Sequence, residues 1–454
     1  VADVLENNPE YNYQTKAKIF VVIENFLAKE AYSGLALFVA AAIALIWANS
    51  PWAASYFDLW HTPVGIEIGQ HIIDMELGHI VNDGLMAVFF LLIGLEMKRE
   101  IMVGELSSLR KAAFPIVAAI GGMVVPVVFY ILVNLQSAGD TSGFGIPMAT
   151  DIAFVLGFLL ILGKRVPLSL KIFLTSLAVF DDLGAVILIA IFYTGSLNLV
   201  ALGYAAIVLA TLILLNRLGI KKLMPYLLLG VALWFLVEAS GIHATIAGVL
   251  LALTIPVRSR INARQFLDIC RYQMNDIKEE EKGRRDILLT PEQQDSLEDI
   301  EDAYGAVQNP LVRLEHHLHP FSAFVVMPLF ALANAGVQIS GISFSLLEPV
   351  SLGIMLGLVL GKPLGIIGAT YITQRLGWVS KPSSLSWKHI IGAGILGGAG
   401  FTMSIFITQL AFKDAATITM SKLIIVACSL FMGVIGILFL WRVSRNDYCV
   451  DVSS

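Results

Sequence analysis

The chain of 454 residues is 57% hydrophobic and 14% charged, with a mean hydropathy of +0.78, which excludes an ordinary soluble globular domain. Its net charge of −5 excludes little, because the charges sort by side of the apolar segments. The three cysteines, Cys270, Cys428 and Cys449, lack metal-ligand spacing, and a disulfide scaffold does not fit such a chain.

The first 30 residues are polar, mixed in charge and without a secretory signal, and residues 1–32 read as a cytoplasmic N-terminal segment. Twelve apolar segments of spanning length follow, near 33–49, 80–101, 113–134, 147–163, 168–193, 198–216, 224–240, 242–256, 319–337, 346–371, 389–412 and 420–441. Only "SGIH" separates the seventh from the eighth. The expected fold class is an all-α polytopic membrane protein with twelve transmembrane helices. Spans 1–8 fill 33–256 and spans 9–12 fill 315–441, and a tail occupies 442–454.

Lys and Arg fall in "KRE", "LRK", "GKRVPLSLK", "NRLGIKK", the 257–314 segment, "QRLGWVSKPSSLSWK" and "WRVSR", whereas the loops near 50–79, 135–146, 194–197 and 338–345 have none. The positive-inside rule then places both termini in the cytoplasm. Lys413 and Lys422, at the outer edge of the last span, break the pattern. Residues 257–314, with nine basic and twelve acidic residues, read as a cytoplasmic insertion. In it, "TPEQ" predicts a helix start with Thr290 as N-cap, Pro291 at N1 and Gln293 in the capping-box position. In the first outward loop, Val64, Ile66 and Ile68 alternate around a Gly-Gln turn and predict a hairpin near 62–77, whose edges could pair two protomers as a homodimer.

Four ionisable residues stand inside apolar runs: Asp151 in "PMATDIAFVLG", Asp181 and Asp182 in "AVFDDLGAV", and Lys362 in "LVLGKPLGI". Three acids unpaired at full depth cost on the order of 8–10 kcal/mol, and one lysine cannot neutralise three carboxylates. Neighbouring helix positions differ by about 100° in azimuth. One aspartate of the pair can therefore face a polar cavity, for a cation or proton, while the other pairs with Lys362. The backbone is irregular at two matching places. "GDTSGFGIPMATD" puts Gly and Pro where span four should cross, and "GAGILGGAGFTMSIF" puts Gly392, Gly394, Gly397, Gly398 and Gly400 in span eleven. Broken backbone at membrane depth is tolerated where protein or a watery cavity satisfies it, and a pair of such segments points to a transporter's binding site.

The strings "VNDGLMAVFFLLIGLEMKRE", "MATDIAFVLG", "DDLGA", "GIHATIAGV", "LEHHLHP", "LFALANAGV", "GKPLGI" and "GGAGFTMSIFI" run in order from about residue 80 to 412. With them the chain resembles the NhaA-type sodium/proton antiporter family. The resemblance implies inverted-topology repeats and two discontinuous crossed helices in spans 4 and 11 of a bacterial inner-membrane protein. The implied activity is pH-regulated export of sodium or lithium in exchange for protons, two per cation, without a cofactor, enzymatic activity or nucleic acid. By the same resemblance Asp182 matches the central ion-binding carboxylate and Asp181 the neighbour that pairs with Lys362. Asp151, preceded by Thr150, matches the acid among the broken helices, offsetting helix N-termini as Lys362 offsets C-termini. Asp182 and Asp151 would meet the metal cation. Glu96, Lys98, Arg99, Glu100, Glu315, His316, His319 and His243 match residues of the pH response. The 257–314 insertion is longer than the family's usual connection and adds His317. Only His316 and His319 share a helix face there, which favours a titrating edge over a metal site.

Competition between protons and a hard cation for the same oxygens would make an exchanger. A proton-independent cation channel and an intramembrane aspartyl protease are the rivals. The protease would need Asp182 and Asp151 to converge on one water, and would leave the lysine and the glycine-rich break unexplained.

Overall fold

The computed structural model describes residues 32–451, apart from 69–70, 103, 105–108, 136–138, 281–289, 340–347 and 383–384. The expected N-terminal segment, but for Tyr32, and the Gly69–Gln70 turn lie outside the described residues.

The elements are helical except for one hairpin. Helix α1 (Tyr32–Ala48) bends by 117° into α2 (Ala53–Trp60). Strands β1 (Pro63–Ile68) and β2 (His71–Glu76) pair antiparallel with Ile66 opposite Ile73, in the loop where alternation predicted a hairpin. Then come α3 (Leu77–Met102) and α4 (Leu109–Leu135). A 3₁₀ turn (Thr141–Met148) precedes α5 (Ile152–Leu162), followed by α6 (Leu168–Phe192), α7 (Leu199–Arg217), α8 (Leu223–Ala239) and α9 (Thr245–Thr254). The 257–314 segment holds α10 (Ala263–Glu280) and α11 (Pro291–Val307). Helices α12 (Pro310–Asn334), α13 (Pro349–Arg375), α14 (Trp387–Gly397), α15 (Phe401–Ala411) and α16 (Ala415–Asp451) complete the chain.

Among the described residues, eight helices are long and apolar enough to cross a membrane, ten if each bent pair counts as one span. The other two expected spans are α8 and α9, apolar but of 17 and 10 residues. At 1.5 Å per residue α9 reaches about 15 Å, half of a hydrocarbon core. The preceding α8 is closed by Gly241, whose φ of 84° is left-handed and whose absent Cβ would sit 2.2 Å from the Ser196 carbonyl oxygen.

The chain divides into two compact units. One comprises 1–89, 105–194 and 321–454, the other 90–104 and 195–320, so the division falls inside α3 and α12. In the first unit α4 and α13 touch backbone to backbone. A Cβ on Gly121 would lie 2.2 Å from the Gly365 carbonyl oxygen, and one on Gly365 2.1 Å from that of Gly121. Small residues permit such approach where apolar burial drives no association. The same helix widens into a π-turn at Gly357–Gly361, immediately before Lys362 and Pro363. A proline mid-helix has no N–H to donate and clashes with the carbonyl four residues back, here Val359, and the wider turn relieves both. The π-turn Ser322–Val326 precedes Pro328 in the same way.

In the second unit, Leu95, Leu212, Tyr226, Leu233, Leu251 and Leu311 form a continuous apolar core. Helix α11 begins as the sequence predicts: the Thr290 hydroxyl accepts from Gln293 N at 3.2 Å, and Gln293 Oε1 accepts from Thr290 N at 3.1 Å.

Candidate functional site

All five expected ion-site residues, Thr150, Asp151, Asp181, Asp182 and Lys362, are buried in the first unit. Helix α6 carries Asp181 and Asp182 at its middle, and α13 brings Lys362 to them through its glycine contact with α4. Lys362 Nζ donates to Asp181 Oδ2 at 2.6 Å, with both side chains fully buried. It also donates to the Met148 carbonyl, at the C-terminal end of the 3₁₀ turn. The Thr150 hydroxyl lies 2.6 Å from the same Asp181 oxygen and 3.1 Å from the Gly397 carbonyl that ends α14. Hence Asp181 Oδ2 takes two donors, while its Oδ1 is buried with no hydrogen-bond partner among the described residues. Asp182 is the next residue on α6, about 100° around the helix, and acts electrostatically on Lys362.

The two irregular stretches are two helix breaks, and they touch. Residues 149–151 separate the 3₁₀ turn from α5, and 398–400 separate α14 from α15 with a 42° bend. Asp151 N donates to Ala399 O at 2.9 Å. The Asp151 carboxylate then serves two helix starts. Its Oδ1 accepts from Phe154 N at 3.0 Å as the N-cap of α5, and its Oδ2 accepts from Thr402 N at 3.0 Å and from the Thr402 hydroxyl at the start of α15. The first N–H groups of a helix have no partner within it and carry partial positive charge, so one anion satisfies both ends. Lys362 answers the opposite need at the Met148 carbonyl, while the single hydroxyl proton of Thr150 goes to Asp181. The arrangement keeps broken backbone in order and leaves carboxylates at its centre.

The residues expected to sense pH gather in the second unit, in two kinds of contact. Arg99 Nε bridges both Glu315 oxygens at 2.9 and 3.0 Å, and its Nη1 lies 2.8 Å from Glu100 Oε1. Glu96 adds to the negative charge around Arg99, and His319 acts on Glu315. Lys98 instead reaches the carbonyls of Leu253 at 2.7 Å and Ile255 at 2.5 Å, closing the C-terminus of α9. His243 Nδ1 meets the Thr245 hydroxyl at 3.0 Å at the other end of α9. His316 and His317 are exposed, with perpendicular rings 6.3 Å apart, and His317 Nδ1 meets Arg313 O at 2.7 Å. Among the described residues, no three His, Cys, Asp or Glu side chains are placed to hold a metal ion.

Sequence reasoning did not single out Thr402, although a threonine two residues past the last glycine of a break stands where a helix start needs a hydroxyl. Nor did it find Asn334. This buried amide accepts from Gln409 Nε2 and donates to Asn82 Oδ1 at 2.6 Å.

The profile of the family described as Na+/H+ antiporter 1 matches residues 24–440. The chain is 49% identical over 422 residues to a protein named Na(+)/H(+) antiporter NhaA from Wolinella succinogenes, covering 93% of each. It is 48% identical over 439 residues to one of the same name from Helicobacter pylori, covering 95% of this chain and 98% of that one. A solved structure of the sodium proton antiporter MjNhaP1 from Methanocaldococcus jannaschii aligns over 94% of this chain and 95% of that one, at a TM-score of 0.41 and 14% identity, too weak a likeness to bear on function. The chain is a multi-pass membrane protein and belongs to the Na+/H+ antiporter 1 family.

Proposed function

We propose that the protein exchanges sodium, or lithium, against protons, with Asp182 as the carboxylate that alternates between the two. The observation that carries this reading is the buried network in which Lys362 and Thr150 engage Asp181 beside Asp182, where two broken helices touch. A bare carboxylate in such a place costs several kcal/mol. The site is therefore occupied by a proton or by a hard cation that takes oxygen ligands. Exclusive occupancy couples the two flows. Asp181 is neutralised by Lys362, and Asp151 stabilises the helix starts that frame the site. Asp151 contacts the cation through the oxygens it shares with those starts, or acts only by holding them.

In this reading the chain crosses a bacterial inner membrane twelve times with both termini in the cytoplasm, and the two broken helices cross each other. The protein works as a homodimer joined through β1 and β2. Two protons entering per cation leaving move one net charge, to which 100 mV contributes about 2.3 kcal/mol. The Arg99–Glu315 pair, with Glu96, Glu100, His316, His319 and His243, sets the pH at which exchange begins, while α10 and α11 form a cytoplasmic insertion.

The test is sodium-dependent dissipation of an imposed pH gradient in proteoliposomes. Asp182→Asn is expected to abolish it, and undiminished exchange by that variant overturns the assignment. Half-saturating sodium should rise about tenfold per unit fall in pH for each competing proton. A value independent of pH would speak for the channel instead.

A further inference from the structure

One lysine in a spanning helix has no part in the exchange site. Lys422 stands near the start of α16, partly buried, and its amine reaches an amide oxygen rather than a carboxylate. The acids nearest to it along the chain and at its contacts are engaged elsewhere. Asp414 caps α16, accepting from Thr417 N at 2.9 Å and from the Thr417 hydroxyl at 2.8 Å, which holds its carboxyl below the usual carboxylate range. Asp83 faces His79 at 2.9 Å. Lysines near the end of a span usually snorkel outward, whereas this one turns toward a buried amide.

Lys422 Nζ lies 3.3 Å from Asn334 Oδ1, the oxygen that also accepts from Gln409. Asn334 Nδ2 donates to Asn82 Oδ1 at 2.6 Å and to Phe330 O at 3.0 Å. Residues of the first unit on α3, α12, α15 and α16 thus meet at one amide beside one lysine amine. The place is tied to the exchange site through α15. Gln409 and Thr402 are seven residues apart, share a helix face and lie about 11 Å apart along the axis. Thr402 is the residue that holds Asp151. Between them Ile405 and Phe406 are buried, with Phe406 against Phe330 at 6.2 Å between ring centroids. Lys422 therefore stands about two turns of α15 from the residue that holds Asp151.

We propose that Lys422 is a specificity-determining charge on the outer route to the site: it repels cations arriving from the face at which α16 begins and so weakens sodium binding from that face. The inference rests on the exchange reading above. At this range and a protein-like effective dielectric, one charge changes cation binding by about three- to tenfold.

The experiment titrates sodium on each face separately, in proteoliposomes holding the protein in one selected orientation. Lys422→Met is expected to lower half-saturating sodium about three- to tenfold at the face where α16 begins and to leave the other face unchanged, with the difference shrinking as inert salt screens the charge. Lys422→Arg should behave as the parent. Lys422→Gln carries the same readout if the Met variant does not fold. No shift, an equal shift at both faces, or the same shift in Lys422→Arg overturns the proposal. Absence of sodium-dependent proton flux in the parent protein overturns the exchange reading instead.

Discussion

Asp181 and Lys362 form a fully buried ion pair at 2.6 Å, and the lysine's second acceptor is a main-chain carbonyl at a helix break. Removing one partner of such a pair strands a charge, which costs about 3–5 kcal/mol, whereas removing both is far milder. Lys362→Met is expected to destabilise the protein by that amount and Asp181→Asn with Lys362→Met by much less. Thermal unfolding in detergent over a double-mutant cycle checks this, and additive losses would dissolve the pair as an energetic unit.

Asp151 touches two helix starts, so truncating it should loosen both. Asp151→Ala leaves the N–H groups of Phe154 and Thr402 buried without acceptors, at about 1–3 kcal/mol each. Asp151→Asn keeps one oxygen and should fall between. Amide hydrogen exchange reads the outcome directly, with faster exchange expected at the beginnings of α5 and α15 together. Acceleration at α5 alone would show that Asp151 caps only its own helix.

The glycine contact between α4 and α13 makes a contrast available within one protein. Gly121→Ala would put a methyl 2.2 Å from a backbone oxygen that cannot step aside, while Gly203 in α7 has nothing within 4 Å of a Cβ. Gly121→Ala is expected to lower the melting temperature by several degrees and, by displacing α13, to slow exchange. Gly203→Ala should be neutral, or stabilising by about 0.4–1 kcal/mol. Equal effects would show that the close approach is not tight.

Lys98 meets main-chain carbonyls and Glu315 meets Arg99, so their replacement is expected to have different consequences. Lys98→Met uncovers the α9 carbonyls at Leu253 and Ile255 and should cost about 1–3 kcal/mol, with the pH profile of transport kept. Glu315→Gln alters the charge facing Arg99 and should move the pH of half-activation while maximal rate is largely retained. Transport assayed against pH, beside melting curves, distinguishes the two. Loss of rate at every pH in Glu315→Gln would assign that residue to the ion route.

Much of the site was legible because its signals are local. Acids in apolar runs, Gly and Pro where a helix should cross, the "TPEQ" start and the alternation around Gly69–Gln70 each depend on a few adjacent residues. The end of α8 depends instead on Gly241 meeting Ser196 across the chain, which no hydropathy window contains. The partners of Lys362 and Asp151 include the backbone of Met148 and Thr402, and backbone groups leave no mark in a sequence. The acceptors of Lys98 are likewise carbonyls brought near by folding, which no string of residues displays.

The wide turn Gly357–Gly361 sets the angular phase of everything beyond it. Each residue advances a helix by about 100°, so a single-codon deletion within that turn would swing Lys362 a quarter-circle or more away from Asp181 and strand its ammonium among aliphatic neighbours. Loops elsewhere in the chain can gain or lose residues across evolution. The length of this stretch of α13 has to stay the same, and its glycines are held as well, since a Cβ on Gly361 would lie 2.7 Å from Pro126 Cα.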